Sequence, residues 1–277
     1  MKTKPSFLFL ILIFLILFSC KKNETKNYIG LVDPLIGTGP ANTIAARQNP
    51  GDHVDHGQTI PAVTTPFGMT QWTPQTNATE KKCLSPFYFG DPYLQGFRAT
   101  HWTSGSCVQD YGSFTVFPTS FSNDFQFLPD QRKTPFTLDN QNISPACFTT
   151  TLAENQIIAE ITATQRAGFF RFTWKKSQTP AIIIDVNSDE GEGYIKIDME
   201  NQEIVGYNPV HRIYNGMGKP AGFSGYFVAK FDKKFTGYGT FAATELFRGS
   251  TEQKNKPDIG AYVTFESIEN ETLKMKM

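Results

Sequence analysis

Between Phe97 and Pro118 the chain reads FRATHWTSGSCVQDYGSFTVFP, which sets an imidazole, an indole, a thiol, a carboxylate, a phenol and several hydroxyls close together ahead of an apolar run. His101, Cys107 and Asp110 are the residue types of a thiol nucleophile with its base and orienting group. All three sit on one short polar stretch, whereas such sites gather their members from separate elements, so a loop or a ligand wall is the stronger reading. Asp52-His53-Val54-Asp55-His56 holds two histidines with flanking carboxylates, the donor types of a metal site on a helix face. Pro50, Gly51 and Gly57 surround it, and they argue for a polar loop instead. Asp189-Glu190-Gly191-Glu192-Gly193 has carboxylates suited to calcium, and equally the composition of an acidic turn between strands. A further chemistry fits the N-terminal half as a whole. Trp72, Trp102, Tyr88 and Tyr93 offer faces for the apolar side of a sugar ring, and His53, His56, His101, Gln58 and Asp110 offer groups for its hydroxyls, a composition that alone would suit many ligands.

The elements that would position these residues follow from the rest of the chain. Residues 1–20, MKTKPSFLFLILIFLILFSC, place Lys2 and Lys4 before an apolar run from Phe7 to Phe18. That run makes about 18 Å of helix, too short for a hydrocarbon core of about 30 Å, and it reads as a secretory leader. Ser19-Cys20, with Leu17 before it, resembles the lipobox of bacterial lipoproteins. The resemblance implies lipidation at Cys20, anchoring on a membrane of the cell envelope, outer membrane or periplasmic face, and a solvated tether over residues 21–27.

The 277 residues carry 26 basic and 26 acidic side chains, interspersed and without a long run of one sign, which excludes condensation on nucleic acid. With Cys20 lipidated, Cys83, Cys107 and Cys147 remain, so one disulfide at most can close within the chain. Aromatic residues make up 14%, with 25 Phe, as β-rich proteins tend to have.

From Cys147 onward, CFTTTL, IIAEITAT, GFFRFTW, AIIIDV, YIKIDM, IVGYN, GYFVAKF, FTGYGTF and GAYVTFE recur as short β-type runs between turn residues. Alternation in IIAEITAT puts Ile157, Ala159 and Ile161 on one face, with Glu160 and Thr162 on the other. Such runs predict an all-β fold, an antiparallel sandwich. Tyr28 to Phe148 is loop-rich, with short extended pieces such as GMTQW and GSFTVFP, and is where a rigid scaffold would carry a site.

Three stretches carry a more specific signal: Val32-Asp-Pro-Leu-Ile-Gly-Thr-Gly39, Thr59-Ile-Pro-Ala-Val-Thr-Thr-Pro-Phe-Gly-Met69, and Gly96-Phe-Arg-Ala-Thr-His-Trp-Thr-Ser-Gly105 with Asp110-Tyr-Gly-Ser-Phe-Thr-Val-Phe-Pro118. In order and spacing they resemble the N-terminal domain of glycoside hydrolase family 92, exo-acting α-mannosidases. Thr164–Thr173 and Gly225–Phe231 look like that domain's later strands. The resemblance implies a galactose-mutarotase-like supersandwich over residues 28–272, with 273–277 beginning a linker to an (α/α)₆ barrel. It also implies an α-mannoside or N-glycan-type oligosaccharide as substrate, calcium-dependent inverting hydrolysis, and a general acid, base and most calcium ligands that belong to the barrel. By the same resemblance Gly37, Thr38 and Gly39 bring backbone close to the sugar, and His101, Trp102 and Asp110 form one pocket wall. Two departures stand out. Pro40 and an insertion through Asp55 replace the family's Gly-His-Gly, and Thr100-His101-Trp102 replaces His-Thr-His. The expectation is a carbohydrate-binding domain that is not catalytic as a 277-residue chain. The alternative is a stand-alone surface lipoprotein that captures glycans.

Overall fold

The computed structural model describes residues 28–40, 43, 44, 48, 57–76, 85–104, 110, 112–138, 141–154, 156–188, 191–211 and 220–277. Cys20, residues 52–56, Cys107, Asp189 and Glu190 lie outside that set. Val32–Met277 forms one compact unit, and the 3₁₀ turn Tyr28–Leu31 lies in the other.

The N-terminal half supplies β1 (Gln71–Gln75), β2 (Tyr93–Leu94), β3 (Gly96–Thr100), β4 (Phe114–Ser120), a one-turn helix α1 (Pro129–Arg132), β5 (Thr134–Pro135) and β6 (Asn142–Ile143). Then come β7 (Cys147–Leu152), β8 (Ile157–Ala163), β9 (Gly168–Trp174), β10 (Pro180–Val186), β11 (Tyr194–Asp198) and β12 (Glu203–His211). The chain closes with β13 (Pro220–Phe231), β14 (Gly237–Ala242), β15 (Glu245–Arg248), β16 (Glu252–Lys254), β17 (Gly260–Thr264) and β18 (Glu271–Lys276). They pair as a seven-stranded sheet, β1-β3-β4-β10-β17-β14-β15, and a nine-stranded sheet, β16-β11-β12-β13-β18-β9-β8-β7-β6, with β2 and β5 as a small ribbon. Every pairing is antiparallel.

The two large sheets pack face to face, as the alternation predicts. Trp72 of β1 meets Phe170 of β9 edge-on with centroids 4.7 Å apart, Phe97 of β3 meets Phe148 of β7 at 6.0 Å, and Phe114 of β4 meets Phe227 of β13 at 4.4 Å. Each such ring removed from water contributes about 1.5–3 kcal/mol. β8 and β9 bury Ile157, Ala159, Ile161, Phe170, Phe172 and Trp174, and they turn Glu160, Phe169 and Arg171 outward. β10 lacks this alternation because it is covered on both faces. Its Ile184 lies in register with Val116 and Phe97 toward the sandwich core. Its Asp185 faces the other way, to Arg132 of α1, whose two Nη atoms donate to its carboxylate. Segment 121–138 therefore caps the outer face of the seven-stranded sheet, bringing Phe125 and Phe127 onto Tyr262 and Phe241.

Residues 273–277, expected to open a linker, instead belong to the nine-stranded sheet. β18 lies between β13 and β9, burying Leu273 and Met275, and Met277 exchanges both backbone hydrogen bonds with Gly168. With only two buried apolar residues among Lys and Thr, its period was too faint to read.

Candidate functional site

β3 ends at Thr100 and β4 begins at Phe114, so residues 101–113 connect them at one end of the seven-stranded sheet. Asp110 folds this loop back on its own stem. Its Oδ2 accepts from Arg98 Nε at 2.8 Å and from Thr100 Oγ1 at 2.7 Å, and its Oδ1 accepts from the His101 backbone N–H at 2.9 Å. Arg98 Nη2 donates on to Ser113 Oγ at 2.6 Å. The Arg98 and Asp110 side chains are 1% and 0% exposed, so this ion pair is fully desolvated. A buried pair is tolerated when further hydrogen bonds engage its groups, as Ser113 does for Arg98 Nη2 and as Thr100 and the His101 N–H do for Asp110.

The stem is braced from the second sheet. Asn208 Nδ2 donates to the carbonyls of Ser113 (3.1 Å) and Asn187 (2.7 Å), and Asn187 Nδ2 donates to Thr115 Oγ1 at 2.9 Å. Backbone approach completes the brace: Gly112 has φ 58°, and a Cβ on Gly225 would lie 2.3 Å from the Gly112 carbonyl oxygen. On this frame His101 is half-buried. Trp102 is 4% exposed, and its indole N–H finds no acceptor among the described residues. A buried donor of that kind calls for water or a ligand oxygen.

The structure does not bring all the expected wall residues together. Gly37-Thr38-Gly39 is tied to Phe89 N–H through the Thr38 carbonyl (3.0 Å) and to Thr59 N–H through the Gly37 carbonyl (3.3 Å). Thr59 precedes Val63, which bridges Trp72 antiparallel, so Thr59 lies toward Thr76 at the far end of β1. Thr76 in turn binds Pro86 and Tyr88. His101 follows Thr100, the partner of Gln71 at the near end. At about 3.3 Å per residue the two groups hang about 17 Å apart along β1. Thr38 is fully buried with its hydroxyl donating to the Leu35 carbonyl at 2.8 Å, and Gly37 has φ 79° with Thr59 at 2.9 Å from where a Cβ would stand. The Gly-Thr-Gly turn is thus held by its own packing.

Asp110 likewise directs its carboxylate inward, to hold the loop, which leaves the half-buried His101 and the buried Trp102 with its unbonded indole as the remaining members of the predicted wall. The structure also shows a residue that the spacing did not single out. His211, at the end of β12 and three residues beyond Asn208, has Nε2 3.4 Å from Glu192 Oε2, and its ring nitrogens find no hydrogen-bond partner among the described residues. A signal for Asn208 existed. Ile204, Gly206, Asn208 and Val210 share the buried phase of β12, and a polar residue in that phase marks an internal bond. Among the described residues no three His, Cys, Asp or Glu side chains converge as a metal site, and no helix is long and apolar enough to cross a membrane.

A family profile, the glycosyl hydrolase family 92 N-terminal domain, matches residues 31–277. Among solved structures, an inverting mannosidase of family 92 from Bacteroides thetaiotaomicron superposes with a TM-score of 0.75 at 27% identity, over 91% of this chain and 31% of that one. A family 92 α-mannosidase from the same organism gives 0.71 at 25%, over 91% of this chain and 33% of that one, and in complex with mannoimidazole 0.69 at 25%, over 90% and 32%. The chain thus spans about a third of the length of these structures. No curated protein sequence matches it.

Proposed function

Because the chain belongs to glycosyl hydrolase family 92 through that family's N-terminal domain, we propose that it provides one wall of the substrate pocket of a calcium-dependent, inverting exo-α-mannosidase, and binds mannosides without cleaving them. The observation that carries this reading is the pre-set pair His101–Trp102. Its indole donor is buried and unbonded, on a stem that needs no ligand to order it. A pyranose hydroxyl would accept from that N–H while the imidazole meets a neighbouring hydroxyl.

Inversion requires two carboxyls roughly 6.5–9.5 Å apart across the scissile bond. Asp110, the carboxylate nearest the pair, is enclosed by Arg98, Thr100 and His101. An acid, a base and a calcium site are therefore assigned to the remainder of the family architecture, as the (α/α)₆ barrel of an N-glycan-trimming enzyme.

The test is direct. The purified chain is incubated with an aryl α-mannoside in the presence and absence of calcium, and titrated with mannobiose. No turnover is expected, with binding in the millimolar range, about −4 kcal/mol, that is lost in Trp102→Ala. Turnover by this chain overturns the non-catalytic reading, and mannobiose binding indifferent to Trp102→Ala overturns the wall. Anchoring through Cys20 belongs to the same proposal, and is checked by fatty-acid labelling of the wild type against Cys20→Ala.

A further inference from the structure

A cavity of about 580 Å³ opens on the outer face of the seven-stranded sheet, beneath α1 and beside the end of β10 and the start of β17. That size is typical of small-molecule sites. Three of its wall residues, Gln75, Gln95 and Ser188, are 3%, 7% and 7% exposed. Gln75 Nε2 donates to Gln95 Oε1 at 3.3 Å, Gln95 Nε2 donates to Asp130 Oδ1 at 3.3 Å, and Ser188 Oγ accepts from Glu192 N–H at 3.1 Å. An amide carries two N–H hydrogens and a hydroxyl one. Each of the three therefore keeps one hydrogen without an acceptor inside a walled space, where buried polar groups are otherwise bonded.

Their orientation is fixed from behind. Thr115 Oγ1 donates to Gln75 Oε1 at 2.6 Å, which sets that amide, and Asn187 donates to Thr115. Asn187 belongs both to the cavity wall and to the brace of the 101–113 loop, yet none of the described residues of that loop lines the cavity.

The lining also decides what chemistry can enter. Asp130, Asp185 and Asp258 contribute carboxylates, and no Lys or Arg faces the space, so phosphates and other anions are disfavoured. Asp185 is engaged by Arg132 from behind, and no three acidic or imidazole groups converge among the described residues, so a divalent cation lacks its ligand set. What remains is a guest that accepts from amide and hydroxyl hydrogens, donates to carboxylates, and lays an apolar face on the Phe241 ring.

We propose that this cavity binds a neutral polyhydroxylated molecule of monosaccharide size, at a site separate from the His101–Trp102 wall. Its experiment is a ligand-observed saturation-transfer titration of the full chain with D-mannose, D-glucose and myo-inositol. Saturable millimolar binding of at least one is expected. Gln95→Leu should weaken it tenfold or more and Gln131→Trp at the exposed rim should block it, both read in a Trp102→Ala background so that sugar held at the wall does not contribute. If Gln95→Leu fails to melt cooperatively, Gln131→Trp decides, because its side chain is exposed and its fold is not at stake. No saturable binding of any of the three by a cooperatively melting wild type overturns the proposal. So does binding that Gln131→Trp leaves intact, and so does stronger binding of spermidine or inorganic phosphate. The wall is read from mannobiose and Trp102→Ala, so either proposal can fail while the other stands.

Discussion

Asp110→Ala tests whether the 101–113 loop is held by its stem. The carboxylate is completely enclosed, its Arg98 partner is 1% exposed, and three donors converge on it at 2.7 to 2.9 Å. Alanine leaves a guanidinium with no counter-charge in a dry site and strands the His101 N–H. Removing one member of a buried pair costs about 3–5 kcal/mol. In a domain of this size each kcal/mol moves Tm by about 2–4 °C, so a fall of roughly 6–20 °C is expected. Thermal melts by circular dichroism, with urea unfolding for the free energy, measure it. Arg98→Met with Asp110→Leu removes both charges and keeps the volume filled, and should restore most of the loss. A single variant that melts within 3 °C of wild type refutes the reasoning. So does a double variant whose loss equals the sum of the two single losses, since uncoupled charges are not a pair.

Three further outcomes follow from particular contacts. Gly168→Ala would place a Cβ 2.4 Å from Trp72 Nε1 at the start of β9, so overpacking of about 1–3 kcal/mol is expected in urea melts, and a neutral result would mean that Trp72 can shift. Asn208→Ala removes the donor to the Ser113 and Asn187 carbonyls. It should cost about 1–3 kcal/mol and weaken mannobiose in the same variant, whereas weakened binding at full stability would give Asn208 a different role. The Glu160 carboxyl is held below its ordinary 4.5 chiefly by its hydrogen bonds to Arg171. A depressed carboxylate contributes stability above its unfolded value and loses it as pH falls through the folded one. Because the Arg171 side chain is 57% exposed, the whole contribution is under about 1 kcal/mol. Glu160→Gln should therefore be slightly less stable than wild type at pH 7 and equal to it near pH 3, and a difference that widens on acidification contradicts this.

The half of the fold built from alternation was legible, because β8, β9 and β12 each keep one face wet, and a wet face forces a period of two into the sequence. β10 could be seen as a strand only from its length and its run of isoleucines, and its partner layer could not be seen at all. Nothing in AIIIDV says that Asp185 turns to meet Arg132 fifty-three positions earlier. The site was legible in its residue types but not in their directions. His101, Trp102 and Asp110 do gather on one loop stem, yet the carboxylate points inward, because Arg98, on a strand buried on both faces, needs a counter-charge. Local spacing cannot show that Gly37-Thr38-Gly39 hangs from the opposite end of β1. That separation is set by the Val63–Trp72 bridge, a contact whose register the sequence does not encode locally.

The stem network also bears on how tightly the proposed wall would grip a sugar. His101 and Trp102 follow directly on β3 and their backbone N–H groups are pinned by Asp110 and Thr100, so a ligand would meet a backbone already ordered and pay little to fix it. Pre-ordering cannot make up for missing surface. Sites with high affinity enclose 70–90% or more of a ligand, and a wall at one sheet end covers well under half of a pyranose. The same geometry separates binding from chemistry. The proposed wall would orient the hydroxyls of a non-reducing mannose, while protonating the leaving oxygen and activating water need carboxyls on opposite sides of the ring. Asp110 is locked behind the wall and Asp185 behind the sheet. An opposing surface that supplied such carboxyls would therefore raise affinity and create turnover together, and the Trp102→Ala loss should then appear in kcat/KM for the assembled site as it does in Kd for this chain.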